Sequence, residues 1–186
     1  MDDINKFRVF NKLKSVYRIC CVDDRKESSA EHSWACLILA DLFLSKMDVA
    51  IDRLRVYELL MYHDVVEIES GDVPLHPNIS SEGKKERELV AANSLRDKLP
   101  EPINKKFFEL FMEFEDQITI ESRFAKSIDA LEAEIHELDY KGDWKGWTKE
   151  FLVEKKRKYF VEFPEMLIIF DELSEYLSTN GYFDQN

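Results

Sequence analysis

The segment MYHDVVEIES (61–70) sets His63 and Asp64 side by side, with Glu67 following, in an otherwise apolar run. On a helix His63 and Glu67 share a face. Asp64 points about 100° from His63, so all three groups reach a common region beside the axis. The flanking Leu59, Leu60, Met61, Val65, Val66 and Ile68 mark the helix as substantially buried. A buried carboxylate is costly unless it is paired or bound to a cation. One reading is a satisfied buried pair. The other is half of a metal site, since one ion would serve all three groups. Imidazole and carboxylate suit Mn, Co, Fe, Ni or Zn, in preference to Mg, without a thiolate.

Such an ion needs further ligands. His32, preceded by Glu31, opens a very apolar stretch one helix earlier and is a natural third ligand. Asp129 lies between Ile128 and Ala130-Leu131 and is a candidate fourth, although alone it reads as a helix-surface charge. His136 stands two turns, about 10 Å, beyond Asp129 and has Glu132 as a ready partner. His76, between Leu75 and Pro77, reads as a solvent-exposed loop residue, and Trp34 as core packing beneath His32.

The elements that must position these groups are helical. Periodic apolar runs predict helices at about 3–17, 30–46, 52–69, 82–98, 103–116 and 119–139, with one or two more over 147–178. The helix at 30–46 is apolar on nearly every face, which predicts a central, buried element. SGDVPLHPNIS (70–80) is the clearest loop, YKGDWKGW (140–147) reads as a break, and no run alternates long enough to predict a sheet. The 186 residues, 45% hydrophobic and with five Gly and five Pro, predict a single all-α domain over 1–186.

The formal net charge of −12 argues against nucleic acid as a partner, because phosphate neutralisation needs a basic face. Cys20, Cys21 and Cys36 form no CxxC pair, which predicts a reduced, cytoplasmic setting. No run of 18 apolar residues exists, so no membrane span is expected.

Four segments in order, LKSVYR (13–18), ESSAEHSW (27–34), HDVVEIESGDVP (63–74) and KSIDALEA (126–133), resemble the HD-domain metal-dependent phosphohydrolase superfamily. The likeness is to its 5′-deoxyribonucleotidase (oxetanocin-like) branch, and it spans residues 13 to about 139. The resemblance implies a compact bundle of about six to eight helices, with helices 147–178 packing on that core. It implies one divalent metal held by His32, His63, Asp64 and Asp129. It implies Glu67 as the proton-transfer group and Asp72 as a second catalytic carboxyl that also faces the sugar. Arg18 would grip the phosphate, and the loop with Asp72, Val73 and Pro74 would wall the sugar. Ile19 follows Arg18 where this branch usually carries an aromatic residue, a departure that touches selectivity rather than chemistry. The implied activity is hydrolysis of nucleoside 5′-monophosphates, 2′-deoxy ones above all, by a homodimer. The alternatives are a phosphodiesterase or nucleoside triphosphate hydrolase, or a non-catalytic metal or nucleotide sensor. Base preference and the physiological metal are not legible.

Overall fold

The computed structural model describes residues 1–47 and 50–184. A short helix α1 (Asp2–Phe7) tightens into a 3-10 turn (Arg8–Ser15), and the chain then enters a hairpin, β1 (Tyr17–Val22) and β2 (Arg25–Ser28). The helices that follow are α2 (Ser29–Leu44), α3 (Arg53–Tyr62), α4 (Glu67–Ser70), α5 (Lys84–Lys98), α6 (Ile103–Asp116), α7 (Ile120–His136), α8 (Lys149–Lys156) and α9 (Pro164–Thr179).

The hairpin corrects two expectations: the helix over 3–17 stops early, and a small sheet exists. Its strands pair antiparallel, with Tyr17 opposite Ser28, Cys21 opposite Lys26 and Val22 opposite Arg25. Asp23 turns the chain at φ 51°, a left-handed conformation that Asp tolerates. The hairpin is tied from outside. The Cys21 N–H donates to Asp143 Oδ2 (2.8 Å) and the Asp23 N–H donates to the Tyr140 hydroxyl (3.0 Å). The six consecutive polar residues DDRKES (23–28) hid so short a strand pair from periodicity.

α2 begins with a reciprocal cap. The Glu31 N–H donates to Ser28 Oγ (3.3 Å), and the Ser28 N–H donates to Glu31 Oε2 (2.9 Å). One stripe of the helix, His32, Ser33, Cys36, Ala40 and Phe43, is buried. The opposite stripe is not: Trp34, Ile38 and Leu42 face solvent, Trp34 at 66% exposure. The expectations of an all-round buried helix and of Trp34 in the core are therefore wrong. The stripe is apolar yet stays exposed among the described residues.

The helix expected over 52–69 breaks at the His-Asp doublet. Asp52 caps α3, accepting from the N–H groups of Leu54 (3.0 Å) and Arg55 (3.2 Å). Beyond Tyr62 the chain tightens into i→i+3 bonds, Val65 N–H to the Tyr62 carbonyl (3.1 Å) and Glu67 N–H to the Asp64 carbonyl (2.9 Å). Gly71, at φ 73°, then ends α4. One apolar core joins α2, α3 and α7 to the C-terminal helices through Phe43, Leu60, Phe124, Leu131, Trp144 and Phe170. A second, with Val65, Val66, Leu95, Phe107 and Phe111, lies between α4, α5 and α6. The doublet sits between the two cores, which is why its neighbours are apolar on every side.

Candidate metal centre and adjoining cavity

His32, from the first turn of α2, is fully buried. Its Nδ1 lies 2.5 Å from Glu132 Oε2 and its Nε2 lies 3.1 Å from Asp129 Oδ1, both acids being on α7. His63 directs Nδ1 to the Leu60 carbonyl at 2.7 Å. Its Nε2 is 3.1 Å from Asp64 Oδ1 and 3.9 Å from Asp129 Oδ1. Both imidazoles are thus oriented from behind, one by a carboxylate and one by a carbonyl. In each the Nδ1 proton is engaged, and the Nε2 lone pair is presented to one space.

That space fits a cation. His63 Nε2 and Asp64 Oδ2 are buried and have no hydrogen-bond partner among the described residues. Two imidazole nitrogens and two carboxylates form a donor set suited to a divalent transition metal. Burial works to raise the Asp129 carboxyl, but its surroundings, the Lys126 ammonium at 2.9 Å foremost, hold it well below the usual range.

Cys36 also lies close by, forming a compact group with His32 and His63. Its sulfur is 3.5 Å from His32 Nε2 and 3.8 Å from Nδ1. Near-equal distances place it over the ring face rather than on a nitrogen lone-pair axis, so it packs against the His32 ring. A second group, Glu27, Glu132 and His136, lies behind the site. Its members are engaged: Glu27 faces Arg18 Nε (3.0 Å), Glu132 orients His32, and His136 Nε2 donates to the Cys21 carbonyl (2.8 Å). The expected pairing of His136 with Glu132 is replaced by these contacts. His76 is half-buried and tied to the Lys145 carbonyl (3.1 Å), rather than free in solvent.

A cavity of about 270 Å³ opens beside this centre. His63, Asp64 and Asp129 line it, as do Glu67, Asp72, Arg18, Ile19, Val73 and Pro74, so these expected residues do converge. His32 stands behind the wall. Glu67 accepts from Ser29 Oγ at 2.6 Å. Burial first, then the charges of Asp64 and Asp72, hold the Glu67 carboxyl well above the usual range. Burial also raises Asp72, although Arg18 opposes it. Arg18 is held by Glu27 and by Asp64, 3.8 Å from its NH1. The Glu27 contact is an ion pair without aligned hydrogen-bond geometry, since Arg18 Nε has no hydrogen-bond partner among the described residues.

Sequence reasoning did not place Lys84, Glu88, Glu134, Glu137, Trp147 or Lys156 in the lining. Glu134 and Glu137 carried a signal, because with Asp129, Ala130 and Ala133 they follow helical spacing along one face. Lys156 carried none, since a separate helix brings it.

A hydrolase-type site, built where two His and two Asp from three parts of a helical fold meet beside a polar cavity, has clear counterparts. The chain belongs to the HD domain family, whose model matches residues 10–166. It is 29% identical over 181 residues to the 5′-deoxynucleotidase HDDC2 of Homo sapiens, covering 93% of this chain and 85% of that one. It is 31% identical over 128 residues to the 5′-deoxynucleotidase hdd1 of Schizosaccharomyces pombe, covering 66% of this chain and 63% of that one. Among solved structures it resembles a predicted metal-dependent phosphohydrolase from Magnetospirillum magnetotacticum MS-1. There the TM-score is 0.88 and the identity 28%, over 99% of this chain and 95% of that one. No helix among the described residues is long and apolar enough to cross a membrane.

Proposed function

We propose that this protein is a metal-dependent phosphomonoesterase that hydrolyses 2′-deoxynucleoside 5′-monophosphates to nucleoside and phosphate. The observation that carries the reading is the pair of orphaned atoms, His63 Nε2 and Asp64 Oδ2, at one end of a cavity that Glu67, Asp72 and Arg18 also line. The names of the human and yeast relatives supply the substrate class.

His32, His63, Asp64 and Asp129 would hold the ion, with Mn, Co, Fe, Ni or Zn suiting the donors. A divalent ion bound there supplies positive charge that polarises a phosphoryl oxygen and acidifies water. Arg18 places a buried guanidinium toward the phosphate, a group it can grip through two N–H bonds. In the reaction, water oxygen bonds to phosphorus as the bond to the 5′ oxygen breaks, and that oxygen takes a proton. Glu67 is the proton carrier, because it lines the cavity and burial holds its carboxyl well above the usual range. Asp72 is the second carboxyl, and with Val73 and Pro74 it walls the sugar. Ile19 stands at the mouth in place of an aromatic residue.

The whole chain acts as one HD domain, and α8 closes the far end of the cavity. The exposed stripe of Trp34, Ile38 and Leu42 supports a homodimer, since a surface apolar stripe of this kind is often an interface. Three free cysteines support a cytoplasmic setting. The test is phosphate release from a panel of deoxy- and ribonucleoside 5′-monophosphates with each metal in turn. Release from the deoxy series supports the reading, and silence across every metal and nucleotide overturns it.

A further inference from the structure

The cavity has a second polar end that the reaction above leaves unused. From Asp129, α7 continues along the same wall with Glu134, and Glu137 follows at the residue just past the helix end. At the helical rise these stand about 7.5 Å and about 12 Å further along the axis. That span is comparable to the reach from the phosphorus of a nucleoside monophosphate to the hydrogen-bonding edge of its base. Lys156 of α8 closes this end, its ammonium touching Glu134 Oε1 and donating to the Ala130 carbonyl at 3.2 Å.

The pair is incomplete as a structural clamp. Glu134 is 1% exposed, yet its Oε2 has no hydrogen-bond partner among the described residues. A buried carboxylate oxygen without a donor is costly. The third N–H of Lys156 is also uncommitted by these contacts. Burial, then the Glu134 charge, pushes the Glu137 carboxyl up to about 8, so near neutrality it keeps a proton to donate. This end of the cavity therefore offers one acceptor beside donors. Trp147 adds an apolar wall.

We propose that Glu134, with Lys156 and Glu137, reads the amino-bearing edge of a cytosine or adenine base on the substrate monophosphate. Glu134 Oε2 accepts from the exocyclic amine, and Lys156 or Glu137 donates to the adjacent ring nitrogen. Uracil and thymine present a carbonyl and then an N–H at these places, the reverse order, and leave Glu134 facing an acceptor. The inference rests on the monophosphatase reading and names its substrate class.

The test compares kcat/KM of the metal-loaded full chain, with Mn, for three substrates. These are 2′-deoxycytidine 5′-monophosphate, 2′-deoxyuridine 5′-monophosphate and the base-free 2-deoxyribose 5-phosphate. The wild type is expected to favour the cytidine over the uridine compound by about tenfold or more, as a site with a dedicated polar partner does. Glu134→Gln is expected to erase that preference and leave the base-free substrate unchanged. The double variant Glu134→Gln with Lys156→Met, which removes both buried charges together, is expected to do the same if the single variant folds poorly. Equal wild-type rates for the two pyrimidines would overturn the inference. So would a parallel fall on all three substrates in both variants, the mark of a purely structural ion pair. If the wild type releases phosphate from none of the three, the monophosphatase reading fails first and takes the base floor with it.

Discussion

Glu67 and Glu132 illustrate how one residue type serves opposite ends of one site. Glu67 faces the cavity beside two other carboxyl groups, and burial holds its carboxyl well above the usual range. Glu67→Gln keeps the volume and the contact to Ser29 but cannot exchange a proton. The expected outcome is a fall in kcat of about 10²- to 10⁴-fold with the metal content unchanged, read by phosphate release and elemental analysis together. A fully active variant would remove Glu67 from the proton path. Glu132 instead meets the rear of His32, at Nδ1. Glu132→Ala is expected to weaken metal binding by about 10- to 100-fold, because it frees a ligand ring to turn. A competitive chelator titration reads this, and unchanged affinity would show that α2 alone holds the ring.

At the scale of elements, the site depends on where helices start and stop. The Ser28–Glu31 cap fixes the first turn of α2, and His32 sits in that turn. Ser28→Ala is expected to cost about 1 kcal/mol, a loss of roughly 2–4 °C in Tm for a chain of this size. Thermal unfolding of the metal-free protein checks it. Much of this was legible in the sequence. The four candidate ligands, the loop after Gly71 and the helices around them were readable from spacing and apolar context. The hairpin was not, because its strands are short and its tethers to Tyr140 and Asp143 come from 117 and 122 residues away. Nor was the break at His63–Val66, because His63 and Val66 keep helical backbone angles while the hydrogen bonds between them tighten. The continuation of the cavity along α7 was visible only as spacing, and Lys156 arrives through tertiary packing that no local pattern records.

At the scale of the molecule, two consequences follow from what is buried and what is not. Burial holds Glu137 at about 8 against its ordinary 4.5, so the folded state keeps a proton that the unfolded chain releases. The folded protein then binds more protons than the unfolded one between those values. Stability should fall as pH rises from about 4.5 to about 8, by on the order of a few kcal/mol. Urea denaturation across that range is expected to show the decline, and Glu137→Gln to flatten it. A decline of equal size in the variant would assign it to other groups. The exposed stripe on α2 yields the second consequence. Trp34→Glu with Ile38→Glu is expected to halve the mass seen by light scattering and to leave metal binding intact. A wild-type chain that runs as a monomer at all concentrations would remove the stripe as an interface.

In the proposed reaction His32, His63, Asp64 and Asp129 hold one ion on which phosphate release depends. The most direct test is a titration of the chelator-stripped protein with Mn, following phosphate release from a 2′-deoxynucleoside 5′-monophosphate. Activity is expected to rise from background, to saturate near one equivalent per chain, and to stay at background in Asp129→Asn. Activity that survives chelation, or that returns equally in Asp129→Asn, would contradict the account.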